Sequence, residues 1–136
     1  MMSDFIDVGG NLIKKGLKYA KTHEWIDLSS SPSKVGISDF AQRSLHDVVY
    51  ADLPKVGQAV KRGLTLCTLE SIKAVAEVYS PVDGVVTEVN SELESNPELI
   101  NKDPYGNGWL VKLKVTGGME GLIGAEEYSE LVRKQL

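Results

Sequence analysis

The sequence is poor in the residues and patterns that would mark several classes of protein. It has one cysteine and two histidines among 136 residues, so no internal disulfide can form and few ligands remain for a structural zinc ion. Its net charge of −4 is spread over interspersed acidic and basic residues, without the basic stripe that a phosphate backbone requires. We therefore expect no disulfide framework, no metal site and no nucleic-acid partner.

Long hydrophobic runs are also lacking. The longest apolar stretches are broken within a few residues by Lys, Glu or Asp, far short of the roughly 20 residues needed to cross a bilayer. Residues 1–7 contain acids where a secretory signal has Lys or Arg. These features predict a soluble, cytoplasmic protein with no membrane partner.

The sequence consists instead of short β-prone runs separated by Gly, Pro, Asn and Asp, which supply turn geometry. The predicted strands are residues 25–28, 34–37, 48–53, 64–71, 74–79, 85–89 and 109–115. Their number and brevity predict a mainly β sandwich or barrel. The chain length is typical of one domain with a sizeable core.

A few helices are expected beside these strands. Ser38 or Asp39 can cap a short helix in residues 40–45, and Pro97 can open a second. Residues 125–135 place apolar side chains at helical spacing, with acids early and bases late as the helix dipole prefers. A closing amphipathic helix is therefore predicted.

The opening residues 1–16 show no firm period and are expected to form a flexible extension or a short helix. The domain proper is then residues 17–136. No Ala-Pro-rich or Gly-Ser-rich tether links it to another domain, so we expect it to act as a freestanding monomer.

Two of the predicted strands flank Lys73, because residues 64–69 and 74–79 both alternate in character. If these strands form a hairpin, Lys73 lies at or near the exposed tip. A primary amine on a flexible stem can attack an activated acyl group, and the resulting amide loses the lysine charge. The pattern fits either an attachment site or an ordinary surface lysine.

The residues around Lys73 are decisive here, because residues 70–74 (ESIKA), 80–84 (SPVDG) and 88–90 (EVN) closely resemble the lipoylation region of glycine cleavage H-proteins. Further blocks similar to that family are residues 19–25 (YAKTHEW), 36–42 (GISDFAQ), 53–57 (LPKVG) and 97–109 (PELINKDPYGNGW). In order, these blocks extend over most of the chain, far more than a short motif could match by chance.

The resemblance implies a lipoyl/biotinyl-type barrel-sandwich hybrid with short helical inserts and a C-terminal α-helix. It also implies lipoic acid attached as an amide to Lys73. A lipoate ligase or lipoyl transferase would recognise the flanking residues, which are Glu70, Ser71, Ile72 and Ala74.

By the same resemblance the protein is a non-catalytic carrier with three partner enzymes. A pyridoxal-phosphate glycine decarboxylase loads an aminomethyl group on the arm, an aminomethyltransferase removes it, and a flavin-dependent dihydrolipoyl dehydrogenase reoxidises the thiols. The loaded arm would fold back against an arm cleft, defined as Thr22, Glu24 and Glu77. His23 and Trp25 are expected to serve packing and edge hydrogen bonding.

Other functions fit parts of the sequence. Biotinyl carriers set the lysine between methionines, and lipoyl domains of oxoacid dehydrogenases usually show Asp-Lys-Ala at the tip, unlike this chain. An H-like protein can also act as a lipoyl relay or scaffold for another lipoate-dependent complex. An enzyme would use Cys67 as nucleophile with His46 and Asp47, although a buried, inert thiol is the commoner state of a strand cysteine.

Two positions depart from the family pattern. His46 stands where many relatives have glycine, and if that glycine supports a positive φ, His46 bears a strain of about 1 kcal/mol or more. Ser44 stands where some relatives have histidine, so a charged imidazole cannot help to hold the arm there.

Overall fold

In the computed structural model, which describes residues 3–136, short strands joined by tight turns dominate. The strands are β1 Phe5–Val8, β2 Asn11–Lys14, β3 Lys18–Tyr19, β4 Glu24–Ile26, β5 Ser33–Ile37, β6 Val48–Asp52, β7 Ala59–Val60, β8 Thr65–Ser71, β9 Val75–Tyr79, β10 Asp83–Val89 and β11 Val111–Gly117. The helices are α1 Asp39–Leu45, α2 Glu92–Ser95, α3 Leu99–Lys102 and α4 Ala125–Lys134. Each predicted strand overlaps an observed strand, and the predicted mainly β fold with a C-terminal helix is confirmed.

The strands of the described residues form three antiparallel sheets. Their strand orders are β1-β2, β3-β4-β5-β11-β10-β7 and β6-β8-β9. All three sheets are open, so no closed barrel forms in this part of the chain. The six-stranded and three-stranded sheets contribute their inner faces to one main core, which includes Val35 and Leu113 from the first and Leu66 and Leu69 from the second. This core anchors β8 and β9 from one side.

The N-terminal residues depart most from expectation. Met1 and Met2 lie outside the described residues. For residues 5–14 the predicted flexible extension or short helix is wrong, because β1 and β2 pair as a hairpin. Gly9 and Gly10 form its turn with φ of 59° and 90°, a region that favours glycine. A Gly-Gly pair between two apolar-containing runs is a hairpin signal, so the sequence did contain the information.

This hairpin packs on α4 in a second core, whose buried members are Val8, Ile13, Leu17, Tyr19, Trp25, Ala125, Tyr128 and Val132. The rings of Tyr19 and Tyr128 stack with centroids 4.3 Å apart and planes 2° from parallel. The second core therefore joins α4 to β3 and β4, the strands that lead toward the functional site.

The short helices follow the sequence signals closely. The Ser38 side chain accepts a hydrogen bond from the Ala41 amide at 3.2 Å and so caps α1, as predicted. Helix α3 begins two residues after Pro97, and α2 was not predicted. None of the helices in residues 3–136 is long and apolar enough to span a membrane.

Candidate functional site

Strands β8 and β9 form the hairpin predicted around Lys73. Glu70 pairs with Val75, so the connection at the tip of the hairpin lies just beyond them. Ile72 and Lys73 in this connection are both exposed, and Ile72 has a relative exposure of 70%. The structure thus places Lys73 in solvent at the end of two paired strands.

Ser71 fixes the backbone of this tip. Its Oγ accepts hydrogen bonds from the amides of Lys73 at 3.1 Å and Ala74 at 3.0 Å. Its amide donates to the Ala74 carbonyl at 2.8 Å, and its hydroxyl donates to the same carbonyl at 3.2 Å. The lysine backbone is therefore held in place while its side chain stays exposed.

The segment between α1 and β6 supports the tip from the side. The Ile72 amide donates to the Asp47 carbonyl at 3.0 Å. Lys73 Nζ donates to the Ser44 carbonyl at 3.1 Å, an exposed contact with the last turn of α1. Helix C-terminal carbonyls carry partial negative charge, which favours an ammonium group there. Because Ser44 acts through its backbone, this contact does not depend on its side chain.

His46 in the same segment bears the predicted strain. Its φ of 65° and ψ of −160° lie in a region that only glycine adopts readily. Asn101 holds the segment in this conformation, donating to the His46 carbonyl at 2.8 Å and accepting from the Val48 amide at 2.9 Å. Sequence reasoning did not assign a role to Asn101, although it lies within the matching block 97–109.

The structure brings two of the three arm-cleft residues into contact. Thr22 Oγ1 donates a hydrogen bond to Glu24 Oε1. Glu24 is 2% exposed, and its Oε2 accepts from the Tyr79 amide at 3.0 Å, which joins β4 to β9. Glu77 is exposed and lies two residues before Tyr79, on the same side of that strand. A cleft of about 260 Å³ adjoins Thr22 and the end of β9.

Glu24 is poised to change its charge near neutral pH. Burial raises the pKa of its carboxyl from the ordinary 4.5 to about 7, while the hydrogen bonds from Thr22 and Tyr79 act in the opposite direction. The group is therefore partly protonated at neutral pH. Such an acid can hold a proton or pair with an amine.

The turn that carries these residues is strained and firmly held. His23 has a φ of 82°, and its Nδ1 lies 2.6 Å from the Tyr128 hydroxyl. Burial lowers the pKa of His23, which favours the neutral ring. Trp25 is 2% exposed and its indole donates to the Pro104 carbonyl at 3.0 Å. His23 and Trp25 thus pack and hydrogen-bond as predicted, but Trp25 is not at a sheet edge, because β4 pairs with both β3 and β5.

The residues of the alternative nucleophilic site are not assembled. Cys67 is 3% exposed, and burial raises the pKa of its thiol. His46 and Asp47 lie beside the hairpin tip, next to the Ser71 end of β8. Cys67 lies on the same strand, about 13 Å away from that end. A Cys-His-Asp arrangement is thus absent at these three positions.

A second surface cleft, of about 450 Å³, lies beside Cys67 and away from the tip. It is lined by Asp52, Leu53, Pro54, Lys55, Gln58, Thr65, Leu66, Cys67 and Thr68. Neither Lys73 nor the arm-cleft residues border it. Size alone therefore does not identify the functional site of this protein.

A mainly β scaffold that presents an exposed lysine at the tip of a rigid hairpin is typical of carrier proteins that bear a prosthetic group on that lysine. This is the class of protein that the fold and site indicate. Comparison with known proteins gives the particular family.

The sequence model of the family described as "Glycine cleavage H-protein" matches residues 17–135. A probable glycine cleavage system H protein of Thermoplasma volcanium is 52% identical over 121 residues, which cover 89% of this chain and 98% of the relative. The glycine cleavage system H protein of Thermotoga maritima is 47% identical over 120 residues, covering 87% of this chain and 97% of the relative.

A solved structure agrees with these sequence matches. The crystal structure of a glycine cleavage system H protein from Mycobacterium marinum superposes with a TM-score of 0.83 at 35% identity, covering 91% of this chain and 100% of that chain. The chain belongs to the glycine cleavage H-protein family, the lipoyl carriers of the glycine cleavage system. It is therefore a carrier component that works with the other components of that system.

Proposed function

We propose that Lys73 is the lipoyl attachment site, with lipoic acid bound as an amide through Nζ. The chain then carries an aminomethyl group between a pyridoxal-phosphate glycine decarboxylase, an aminomethyltransferase and dihydrolipoyl dehydrogenase, and catalyses no step itself. The observation that carries this proposal is the position of the Lys73 amine, exposed at the tip of a hairpin whose backbone is fixed. When bound, the lipoyl group supplies a dithiolane that accepts the aminomethyl group and is later reoxidised.

The residues at the tip fit an acylated lysine. The amine has one exposed hydrogen bond, to the Ser44 carbonyl, and an amide N–H can still donate to such an acceptor. Loss of the ammonium charge therefore breaks no buried ion pair. The flanking Ile72 and Ala74 are exposed and leave room for an enzyme to reach Nζ.

A lipoate ligase or lipoyl transferase would recognise the tip through two kinds of residue. Glu70, Ile72 and Ala74 are exposed and can contact the enzyme directly. Ser71 contributes through shape, because its hydroxyl holds the amides of the connection. Recognition then depends on a preformed tip instead of a chain that must order on binding.

The arm cleft would receive the loaded arm. Glu77 lies four residues after Lys73, about 13 Å along an extended strand. Glu24 bonds to Tyr79, the last residue of β9, which is about 20 Å along the strand from Lys73. Both carboxyl groups can pair with an amine, and the position of Glu24 beneath Thr22 limits the access of water to it. These features support a role for Thr22, Glu24 and Glu77 in holding the aminomethyl group between enzymes.

The test is the intact mass of the protein after reaction with lipoate ligase, ATP and lipoic acid, followed by peptide sequencing. We expect one lipoyl group on Lys73 and none on the Lys73→Arg variant. Lys55→Arg, another exposed lysine in a turn, is the matched control and should be fully modified. An unmodified wild-type protein, with a known lipoyl acceptor labelled in the same reaction, would contradict the proposal.

A further inference from the structure

The Tyr128 hydroxyl lies outside both the hairpin tip and the arm cleft, yet its hydrogen bonds lead to both. It lies 2.6 Å from His23 Nδ1 and 2.6 Å from Ser38 Oγ. Tyr128 is fully buried on α4, a helix to which the proposed mechanism gives no part. The hydroxyl therefore needs an explanation beyond burial of the ring.

The direction of these hydrogen bonds follows from the neighbours. Ser38 is fully buried and its Oγ already accepts from the Ala41 amide, so its hydroxyl proton needs an acceptor. Tyr128 is that acceptor, and it in turn donates to Nδ1 of a neutral His23. The reverse direction would leave the Ser38 proton without a partner among the described residues. The chain of bonds thus runs from Ser38 through Tyr128 to His23.

At one end, this chain of bonds fixes the turn of the arm cleft. His23 stands between Thr22 and Glu24 and holds a φ of 82° that a non-glycine residue rarely adopts. Its amide donates to the Ala20 carbonyl and its carbonyl accepts from the Ser38 amide, each at 3.0 Å. The side-chain bond to Tyr128 completes this restraint.

At the other end, the chain of bonds reaches the support of the hairpin tip. Ser38 caps the start of α1, and the last turn of α1 holds Lys73 Nζ through the Ser44 carbonyl. Helix α1 has seven residues, and its backbone hydrogen bonds hold them as one unit, so a displacement at its cap would also move its last turn. Tyr128 therefore contacts the two elements whose relative position decides whether an arm on Lys73 meets Thr22 and Glu24.

We propose that the Tyr128 hydroxyl is a positioning group, which holds the Thr22–Glu24 turn and helix α1 in one fixed arrangement. Its purpose rests on the proposed function, because only an arm attached at Lys73 makes that arrangement necessary. Helix α4 then contributes to carrier function without touching the arm.

The first test uses Tyr128→Phe, which keeps the ring stacked on Tyr19 and removes only the hydroxyl. Tyr19→Phe is the matched control, since its equally buried hydroxyl donates to the Lys14 carbonyl instead. Amide hydrogen exchange of Tyr79, which donates to Glu24, is measured on the unmodified protein. We expect exchange about three- to tenfold faster in Tyr128→Phe and unchanged in Tyr19→Phe. Equal exchange rates in the two variants would overturn the proposal.

A second pair of variants separates the hydrogen bond from the backbone strain. Asparagine tolerates positive φ and offers Oδ1 as an acceptor, so His23→Asn should keep the wild-type exchange rate of the Tyr79 amide. His23→Gly relieves the strain but removes the acceptor, so it should behave like Tyr128→Phe. A wild-type rate in His23→Gly would show that the bond to Tyr128 does not position the turn.

The functional consequence is measured in the reconstituted glycine cleavage reaction. We expect Tyr128→Phe to be lipoylated on Lys73 as completely as wild type, with glycine cleavage several-fold slower than in Tyr19→Phe. Failure of wild-type lipoylation would refute the proposed function, while the exchange measurements would still decide the positioning role. Unchanged glycine cleavage in a lipoylated Tyr128→Phe protein would refute the positioning role alone.

Discussion

The hairpin tip and the Thr22–Glu24 turn are held in opposite ways. At the tip, an exposed backbone is fixed mainly by hydrogen bonds among residues 71–74, with one further bond from the Ile72 amide to the Asp47 carbonyl. In the turn, a strained backbone and a buried carboxyl are held by groups from β9, α1 and α4. The tip exposes the Lys73 side chain, whereas the turn encloses the Glu24 carboxyl group.

This difference predicts where substitutions act. Changes at the tip should alter recognition and modification while leaving the free energy of unfolding almost unchanged, since little is buried there. Changes around the turn should alter stability, because its polar groups are desolvated and its packing is close.

Lys73→Ala should abolish glycine-dependent CO₂ exchange in the reconstituted system, because the proposed attachment point is removed. Its free energy of unfolding should stay within about 0.5 kcal/mol of wild type, as expected for an exposed side chain. Urea denaturation gives the second quantity. A loss of more than about 1.5 kcal/mol would mean that Lys73 also stabilises the fold. It would contradict the expectation that substitutions at the tip leave stability unchanged.

Glu24 should make stability depend on pH. Since its pKa is raised from 4.5 to about 7 in the folded protein, protonation favours folding, and this contribution is lost as pH rises from 4.5 through 7. The loss approaches about 3 kcal/mol. It is measured as the difference in unfolding free energy between wild type and Glu24→Gln at each pH. The lowered pKa of His23 acts in the opposite sense, but it is common to both proteins and largely cancels.

A flat difference between wild type and Glu24→Gln across this range would contradict the enclosed state of the carboxyl. Such a result would also remove the difference between the enclosed Thr22–Glu24 turn and the exposed hairpin tip.

Gly36→Ala should destabilise the protein by about 2 kcal/mol, because overpacking a close contact typically costs 1–3 kcal/mol. A Cβ at Gly36 would lie 2.6 Å from Trp25 Cζ2, and the two residues are paired across β4 and β5. Ile72→Ala at the tip is the comparison and should change stability by less than about 0.5 kcal/mol. Similar melting temperatures for the two variants would refute the predicted contrast.

His46→Gly should stabilise the protein by about 1 kcal/mol, because glycine relieves the strained φ and ψ. His46→Ala keeps the strain and should not stabilise. Thermal unfolding of the two variants gives the comparison. If both variants gain stability equally, the imidazole itself, and not its backbone conformation, is unfavourable at this position.

The sequence predicted the tip better than the turn, for a physical reason. Alternation in β8 and β9 and the cap at Ser38 are local patterns, and they gave the hairpin, the exposed Lys73 and the start of α1. The strain at His46 followed instead from the glycine that many relatives have at this position. Local patterns were thus enough to predict the exposed side chain of a hairpin tip and the cap of a helix.

The groups that hold the turn come from distant parts of the chain. Tyr128 is 105 residues from His23 and 90 from Ser38, and Tyr79 is 55 from Glu24. No periodicity joins such positions, so the sequence could name Glu24 through the family pattern but not its burial or its raised pKa. The N-terminal hairpin differs in this respect, because its turn signal, Gly9-Gly10, lies between the two strands that pair.

The burial of Cys67 has a consequence for redox chemistry. Thiol–disulfide exchange starts from a thiolate, and a buried thiol with a raised pKa supplies almost none at neutral pH. Because the chain contains no other cysteine, a dithiol arm at Lys73, the proposed attachment site, would find no reactive sulfur on its own scaffold. Electrons from such an arm would leave only toward an external oxidant, and no internal mixed disulfide would form.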